Sequence, residues 1–321
     1  MLSWAAGLSL VLGFAGSAQA SSPPPVTPVV SFDPSIGQLP ESLTTDDNGD
    51  VFATTVNGQI HEIFPDHSVV TVATVPVAQF GGSLVGIKVG PDGLIYTISS
   101  SFASSPAGAF VWKVDPATGD VEQFAQLDPN GFPNDLAFED DGSFYLTDPF
   151  LGQIYHIDAS GNAVVFLKDP LLLGNDANPA FVGVHSFGVD GIVFDQNKKN
   201  LYVTNLDYGA VYRIPIGAPP TLQLVVKNED LLKGTDGIAM DRSGTIYAAV
   251  NTKNRIATIN NRGGVSVLVE SNTAFSSPAS VAFGSGKNDK QTLYVANFAI
   301  VSGQNAGVVS LPVLIPGLTL P

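Results

Sequence analysis

The sequence predicts an all-β fold: a six-bladed β-propeller with four antiparallel strands per blade. Three observations predict it. One strand-turn-strand pattern occurs six times, beginning at Glu41, Val85, Asn134, Asp190, Asp236 and Ala279, at intervals of 43 to 56 residues. That spacing is close to the roughly 40–50 residue period of a propeller blade. A polar turn follows the first strand of each copy, and an aromatic-marked strand follows the turn.

The copies can be taken in order. After Pro40 comes ESLTTDDNGDVFATTVNGQIHEIFPDHSVVTVATV, and a looser copy, VGIKVGPDGLIYTIS, starts at Val85. NDLAFEDDGSFYLTDPFLGQIYHIDASGNAVVFL follows from Asn134, DGIVFDQNKKNLYVTNLDYGAVYRIPI from Asp190 and DGIAMDRSGTIYAAVNTKNRIATIN from Asp236. The last copy, ASVAFGSGKNDKQTLYVANF, starts at Ala279. Gly49, Gly93 and Gly142 close their tight turns with the positive φ that glycine adopts freely. Val51-Phe52, Ile95-Tyr96, Phe144-Tyr145, Leu201-Tyr202, Ile246-Tyr247 and Leu293-Tyr294 mark the second strands. Gln153–Asp158 alternates as a third strand, and Val69–Val75 and Leu222–Val226 read as fourth strands. Val26–Phe32 precedes the first copy and fits as the outer strand of the last blade, covering its edge. The apolar tail Leu314–Leu320 competes for that place.

Composition narrows the function classes. The 321 residues carry a net charge of −15 and no basic run, so nucleic acid and anionic lipid are repelled. Cysteine is absent, which excludes disulfides, thiolate metal sites and a cysteine nucleophile. Residues 1–20 read as a secretory signal: Trp4–Gly16 is apolar or small, and Ala18-Gln19-Ala20 is a small-x-small cleavage site before Ser21. No Lys or Arg precedes the apolar run, which departs from the usual signal pattern. The run is too short and too rich in Gly and Ala to span a membrane comfortably. The expected product is a secreted or periplasmic monomer: one propeller domain over residues 21–321, not inserted in a membrane, acting on a small molecule.

The six copy starts share a column. Each begins the innermost strand of its blade, and Glu41, Asn134, Asp190 and Asp236 put oxygen donors there. Three carboxylates near a low-dielectric axis repel one another, so a cation or bound protons must compensate. An all-oxygen donor set suits one hard divalent cation, Ca²⁺ first and then Mg²⁺, Mn²⁺ or Zn²⁺. The competing reading is turn chemistry, since Asp-Gly and Asn-Asp are ordinary turn pairs. It accounts less well for Glu41, which has no turn preference.

This column, with FPNDLAFEDDGSFYLTD and the two Asp-Gly blade starts, resembles the senescence marker protein/gluconolactonase superfamily, relatives of which include paraoxonases and strictosidine-synthase-like proteins. The likeness runs from about Pro40 to Asn297. It implies a catalytic cation held at Glu41, Asn134, Asp190 and Asp236. Two departures stand out. Asp190 occupies a place where the resemblance leads to Asn, and Ser42 follows Glu41 where paraoxonase-like relatives carry an Asp for a second calcium, so no second site is expected. The Arg and Asn that position sugar lactones in the mammalian relatives have no counterpart around Phe132-Pro133.

The resulting expectation is a metal-dependent lactone or ester hydrolase, with Asp236 or His185 activating water. Its rival is a non-catalytic ligand- or partner-binding propeller with a structural cation. His185 lies in a long segment, Leu171–Gly188, that reads as a lid. His61, His67 and His156 read as structural. Asp135, Asp148, Asn205, Asn251 and Asn297 end strands near the axis, as supporting groups or as strand terminators. Phe132, Phe187 and the Ser99–Gly108 loop are candidate pocket walls. Nucleophile-elbow, phosphate-loop and zincin motifs are missing.

Overall fold

The computed structural model describes residues 22–102, 108–217 and 219–318. The expected leader at residues 1–20 lies outside them. Six four-stranded antiparallel sheets stand around one axis. The innermost strands are Pro40–Thr45, Ser83–Val89, Leu136–Phe138, Val189–Phe194, Thr235–Met240 and Pro278–Phe283. Neighbouring innermost strands touch in chain order, and the last meets the first, so the ring is closed.

Closure follows from the N-terminal segment. Thr27–Ser31 pairs antiparallel with Gly307–Pro312 as the outer strand of the last blade. The tail goes elsewhere: Gly317 bridges Asp241, and the Leu318 amide donates to the Met240 carbonyl at 3.0 Å. The edge that would otherwise be exposed is therefore paired by a strand distant in sequence.

The repeated grammar has a physical cause at each point. Gly49, Gly93 and Gly142 take φ of 94°, 78° and 88°, as the tight turns require. The aromatic of the second strand packs on the innermost strand of the next blade. Tyr96 meets Phe138 with ring centroids 4.9 Å apart, Tyr145 meets Phe194 at 5.8 Å and Tyr247 meets Phe283 at 5.1 Å, all edge-on. Edge-on ring pairs add about 0.5–1.5 kcal/mol beyond the area they bury. The core is thus laid between blades, each sheet lending one face to its neighbour. Helix is minor: the four-residue turn Glu229–Leu232, capped by Asn228, is an element that the sequence pattern does not flag. Among the described residues no helix is long and apolar enough to cross a membrane.

Candidate functional site

The innermost strands are irregular where the column residues sit. In five of the six blades the pairing of the first two strands shifts register there, between Pro40 and Leu43, Leu84 and Ile87, Val189 and Ile192, Thr235 and Ile238, and Pro278 and Ser280. Such bulges bend a strand and re-aim a side chain. The glycine that follows the column residue serves close packing. A β-carbon on Gly86 or Gly191 would overlap the carbonyl oxygen of Asn134 or Asp236 in the next blade, and one on Gly237 would stand 2.9 Å from that of Ala279. None of these three glycines has a left-handed φ. Asp190-Gly191 and Asp236-Gly237 are therefore axial contacts, and ordinary turn chemistry does not explain them.

Threonines reinforce the same register. Thr54 Oγ1 donates to the Val85 carbonyl at 2.8 Å, Thr147 Oγ1 to that of Asp190 at 2.5 Å, and Thr204 Oγ1 to that of Asp236 at 3.3 Å. Each hydroxyl belongs to one blade and each acceptor to a column residue of the next. Matching positions in FATT, FYLT and YVT carry this signal in the sequence.

The structure brings Glu41, Asp190 and Asp236 into one electrostatic unit with Asp135. All four carboxylates are buried, at 7%, 1%, 8% and 6% exposure, and Asn134 is buried beside them in sequence at 6%. Burial pushes the Glu41 carboxyl well above the usual range, and the charges of Asp236 and Asp135 push it further, while Lys88 opposes. Burial likewise raises Asp190, with Asp236, Glu41 and Asp135 adding. Burial carries Asp236 up to about 8, against hydrogen bonds from Asn251 and Gly237 that favour its charged form.

Partners are scarce where charge is densest. Both Asp190 oxygens and the Asn251 Oδ1 are buried without a hydrogen bond. Asn251 Nδ2 donates to Asp236 Oδ2 at 3.3 Å. Buried oxygens left without donors are costly, and a hard cation would satisfy them. The donor set therefore fits a divalent cation in chemistry. Among the described residues, however, no three His, Asp or Glu side chains stand together as a metal-ligand group. The carboxylates influence one another electrostatically without forming such a group.

Sequence reasoning missed Lys88. Its ammonium pairs with Asp135 at 3.2 Å, with both side chains largely hidden. A lysine in an otherwise apolar innermost strand, three residues after the column, is the sequence signal for it. Asp135 accepts the Leu136 amide at 2.9 Å and the Ile192 amide at 3.3 Å as well, so it braces neighbouring blades. Asp148, Asn205 and Asn297 are loop anchors. Asp148 takes the Phe132 amide at 3.0 Å, Asn205 donates to the Leu171 and Leu173 carbonyls at 3.0 and 2.9 Å, and Asn297 donates to that of Ala274 at 2.8 Å.

The Leu171–Gly188 segment is held by Asp207, which accepts the Asn175, Ala180 and Phe187 amides at 2.9, 2.6 and 2.9 Å. His185 is exposed on it and lies against Phe150, centroids 4.8 Å apart. No hydrogen bond among the described residues joins His185 to the carboxylates. Phe150 continues into an aromatic cluster: Phe132 at 5.0 Å, Phe187 at 5.3 Å and Phe102 at 6.2 Å. Phe132 and Phe187 thus belong to one aromatic cluster with Phe102 and Phe150. Residues 103–107 of the Ser99–Gly108 loop lie outside the described residues. His61 and His156 fall on third strands and His67 in a turn, away from the column.

A closed six-bladed ring with an acidic axis defines the class, and sequence comparison gives the family. The chain matches the model of the SMP-30/gluconolactonase/LRE-like region over residues 39–298 and belongs to that family. A gluconolactonase of Zymomonas mobilis is 28% identical over 192 residues, 54% of this chain and 51% of its own. The matched stretch thus spans about half the length of that curated relative. Among solved structures, a calcium-binding regucalcin from Agrobacterium tumefaciens superposes with TM-score 0.66 at 17% identity, covering 93% of this chain and 97% of its own. A gluconolactonase from Xanthomonas campestris superposes with TM-score 0.64 at 13% identity, covering 91% and 89%. At those identities the structural likeness shows the fold alone.

Proposed function

We propose that this chain is a metal-dependent hydrolase of lactones or related esters, with one divalent cation held by Glu41, Asn134, Asp190 and Asp236. The observation that carries the reading is the pair of buried, unpartnered Asp190 oxygens within a group of mutually repelling carboxylates. Family membership supports lactone chemistry, and the relatives described as gluconolactonases support it further. The neighbour described as calcium-binding supports Ca²⁺ as the ion.

A bound cation supplies Lewis acidity, polarising the substrate carbonyl and stabilising the oxyanion. The chain's own residues do the rest. Asp236, steadied by Asn251, accepts a proton from the attacking water as the new C–O bond forms. The ring C–O bond then breaks, and the departing alkoxide takes a proton back. His185, exposed on the Leu171–Gly188 segment, passes to solvent the proton that the product carboxylic acid releases. The wall of Phe102, Phe132, Phe150 and Phe187 offers apolar and aromatic-face contact to the body of such a substrate.

One observation favours the rival, a binding propeller. Lys88 neutralises Asp135 from within the chain, so part of the acidic charge is already compensated. Metal analysis of purified protein, then a lactone and aryl-ester panel with and without chelator, decides between them. Turnover that survives complete chelation overturns the metal-dependent reading. We also propose that the mature chain begins near Ser21 and acts outside the cytoplasm. N-terminal sequencing of secreted or periplasmic material tests this, and a retained Met1 refutes it.

A further inference from the structure

The axis holds a second compartment at the opposite end from the carboxylates. Three residues beyond each column position, the innermost strands carry Thr44, Lys88, Ala137, Val193, Ala239 and Ala282, and all six line one chamber of about 300 Å³. Four of these six side chains are small and apolar, which leaves the space open. Further out the walls are apolar, with Ile238, Met240, Phe283 and Leu318 among them.

Two kinds of polar group interrupt this apolar space. At the inner ring, Thr44 is 1% exposed, and its hydroxyl is buried without a hydrogen-bond partner. Further along the strands the chamber is lined by Lys198 and Arg242. Arg242 is exposed, and among the described residues its guanidinium has no hydrogen bond or ion pair; only its backbone amide is engaged, with the Pro316 carbonyl at 3.0 Å. Lys198 pairs with Asp140 at 2.5 Å, but that carboxylate is 87% exposed and exchangeable. Asp195, the acid in this lining, is occupied by the Lys199 and Asn200 amides at 2.8 and 3.2 Å. Three of the chain's 14 Lys and Arg residues thus gather here, in a protein of net charge −15. Lys88 is neutralised by Asp135 and Lys198 by the exposed Asp140, so Arg242 is the cation at this mouth without an ion pair among the described residues.

We propose that this chamber is a second ligand site, for a medium-chain hydroxycarboxylate. The carboxylate lies at the mouth with Arg242 and Lys198, the chain runs along the apolar wall, and the hydroxyl meets Thr44 at the inner end. Allowing about 30 Å³ per heavy atom, the liquid share of a water, the volume holds roughly ten non-hydrogen atoms. That is the size of an eight-carbon acid. A guanidinium suits a carboxylate because its planar fork donates twice. The Thr44 hydroxyl is buried in the chamber wall, and turning about its side-chain bond would bring it to a ligand hydroxyl that satisfies it. The assignment does not rest on the proposed metal site, and the link between the two ends is Lys88, which lines the chamber and pairs with Asp135.

Titration calorimetry with 8-hydroxyoctanoate, octanoate and 1-octanol tests it on the full chain. The hydroxyacid should bind best, octanoate severalfold more weakly, and octanol without measurable heat. Arg242→Gln, an exposed change that does not threaten the fold, should weaken hydroxyoctanoate binding by about tenfold. Thr44→Val should bring hydroxyoctanoate down to the affinity of octanoate and leave octanoate unchanged. Asp236→Asn should leave binding intact, because it alters the other compartment. No binding at millimolar hydroxyoctanoate, binding unaffected by Arg242→Gln, or binding lost in Asp236→Asn overturns the proposal.

Discussion

Gly191 lies so close to Asp236 of the next blade that a β-carbon on it would overlap the Asp236 carbonyl oxygen. The same carbonyl accepts the Thr204 hydroxyl at 3.3 Å. The backbone that carries a candidate ligand is therefore fixed from two sides by its neighbour. Gly191→Ala should cost about 1–3 kcal/mol, as overpacking does, because backbone and not a flexible side chain stands in the way. Gly142→Ala, at φ 88° in an open turn, should cost about 1 kcal/mol through strain alone. Urea unfolding of both variants measures the difference, and equal costs would count against axial packing.

Asp236→Ala should abolish both metal retention and hydrolysis. Asp190→Asn should behave differently, since it keeps one oxygen donor while removing a charge. Metal affinity should fall, and turnover at saturating metal should hold or rise because the ion is less neutralised. Calcium titration with metal-saturated kinetics separates these outcomes. Unchanged affinity in both variants would remove the metal site.

Metal-free protein should lose stability as pH rises from about 4 to about 8. Asp236 is held near 8 in the folded chain against 3.8 normally, so in that window the folded state binds more protons than the unfolded state. Glu41 and Asp190 are raised and act in the same direction. Saturating calcium should flatten or reverse the slope by favouring the ionised carboxylates. Thermal melts across this range, with and without chelator, read it directly.

His61 predicts the opposite slope at acid pH. Burial lowers its pKa from 6.5 to about 4, so the unfolded chain binds the extra proton between those values and stability falls as pH falls. Its ring nitrogens stand 3.3 Å from the Thr55 and Thr71 hydroxyls. With saturating calcium, which holds the axial carboxylates ionised, His61→Gln should destabilise the protein at neutral pH but shrink the drop between pH 6.5 and 4. A melt series showing the full drop in the variant would assign acid lability elsewhere.

His185→Gln should reduce turnover by roughly 10²-fold with little change in KM if this side chain relays the proton, and should leave the melting temperature unmoved because it is exposed. Steady-state kinetics on the best substrate of the panel checks it. Full activity would make His185 only a loop residue lying against Phe150.

The sequence alone determined the blade count and the order of the strands, because a repeat repeats its physics. Turn glycines and aromatic second strands recur at one spacing whenever the same sheet is built six times. Only the tertiary structure decided which N- or C-terminal segment closes the ring, since Val26–Phe32 and the apolar tail read alike until Thr27–Ser31 pairs with Gly307–Pro312. It also decided what the Asp-Gly pairs do, because a contact between neighbouring blades at Gly191 and Asp236 has no local signature. Lys88 with Asp135, and the chamber beyond Thr44, joined the account for the same reason. Their partners are brought together by the ring, and distance along the chain does not encode distance across an axis.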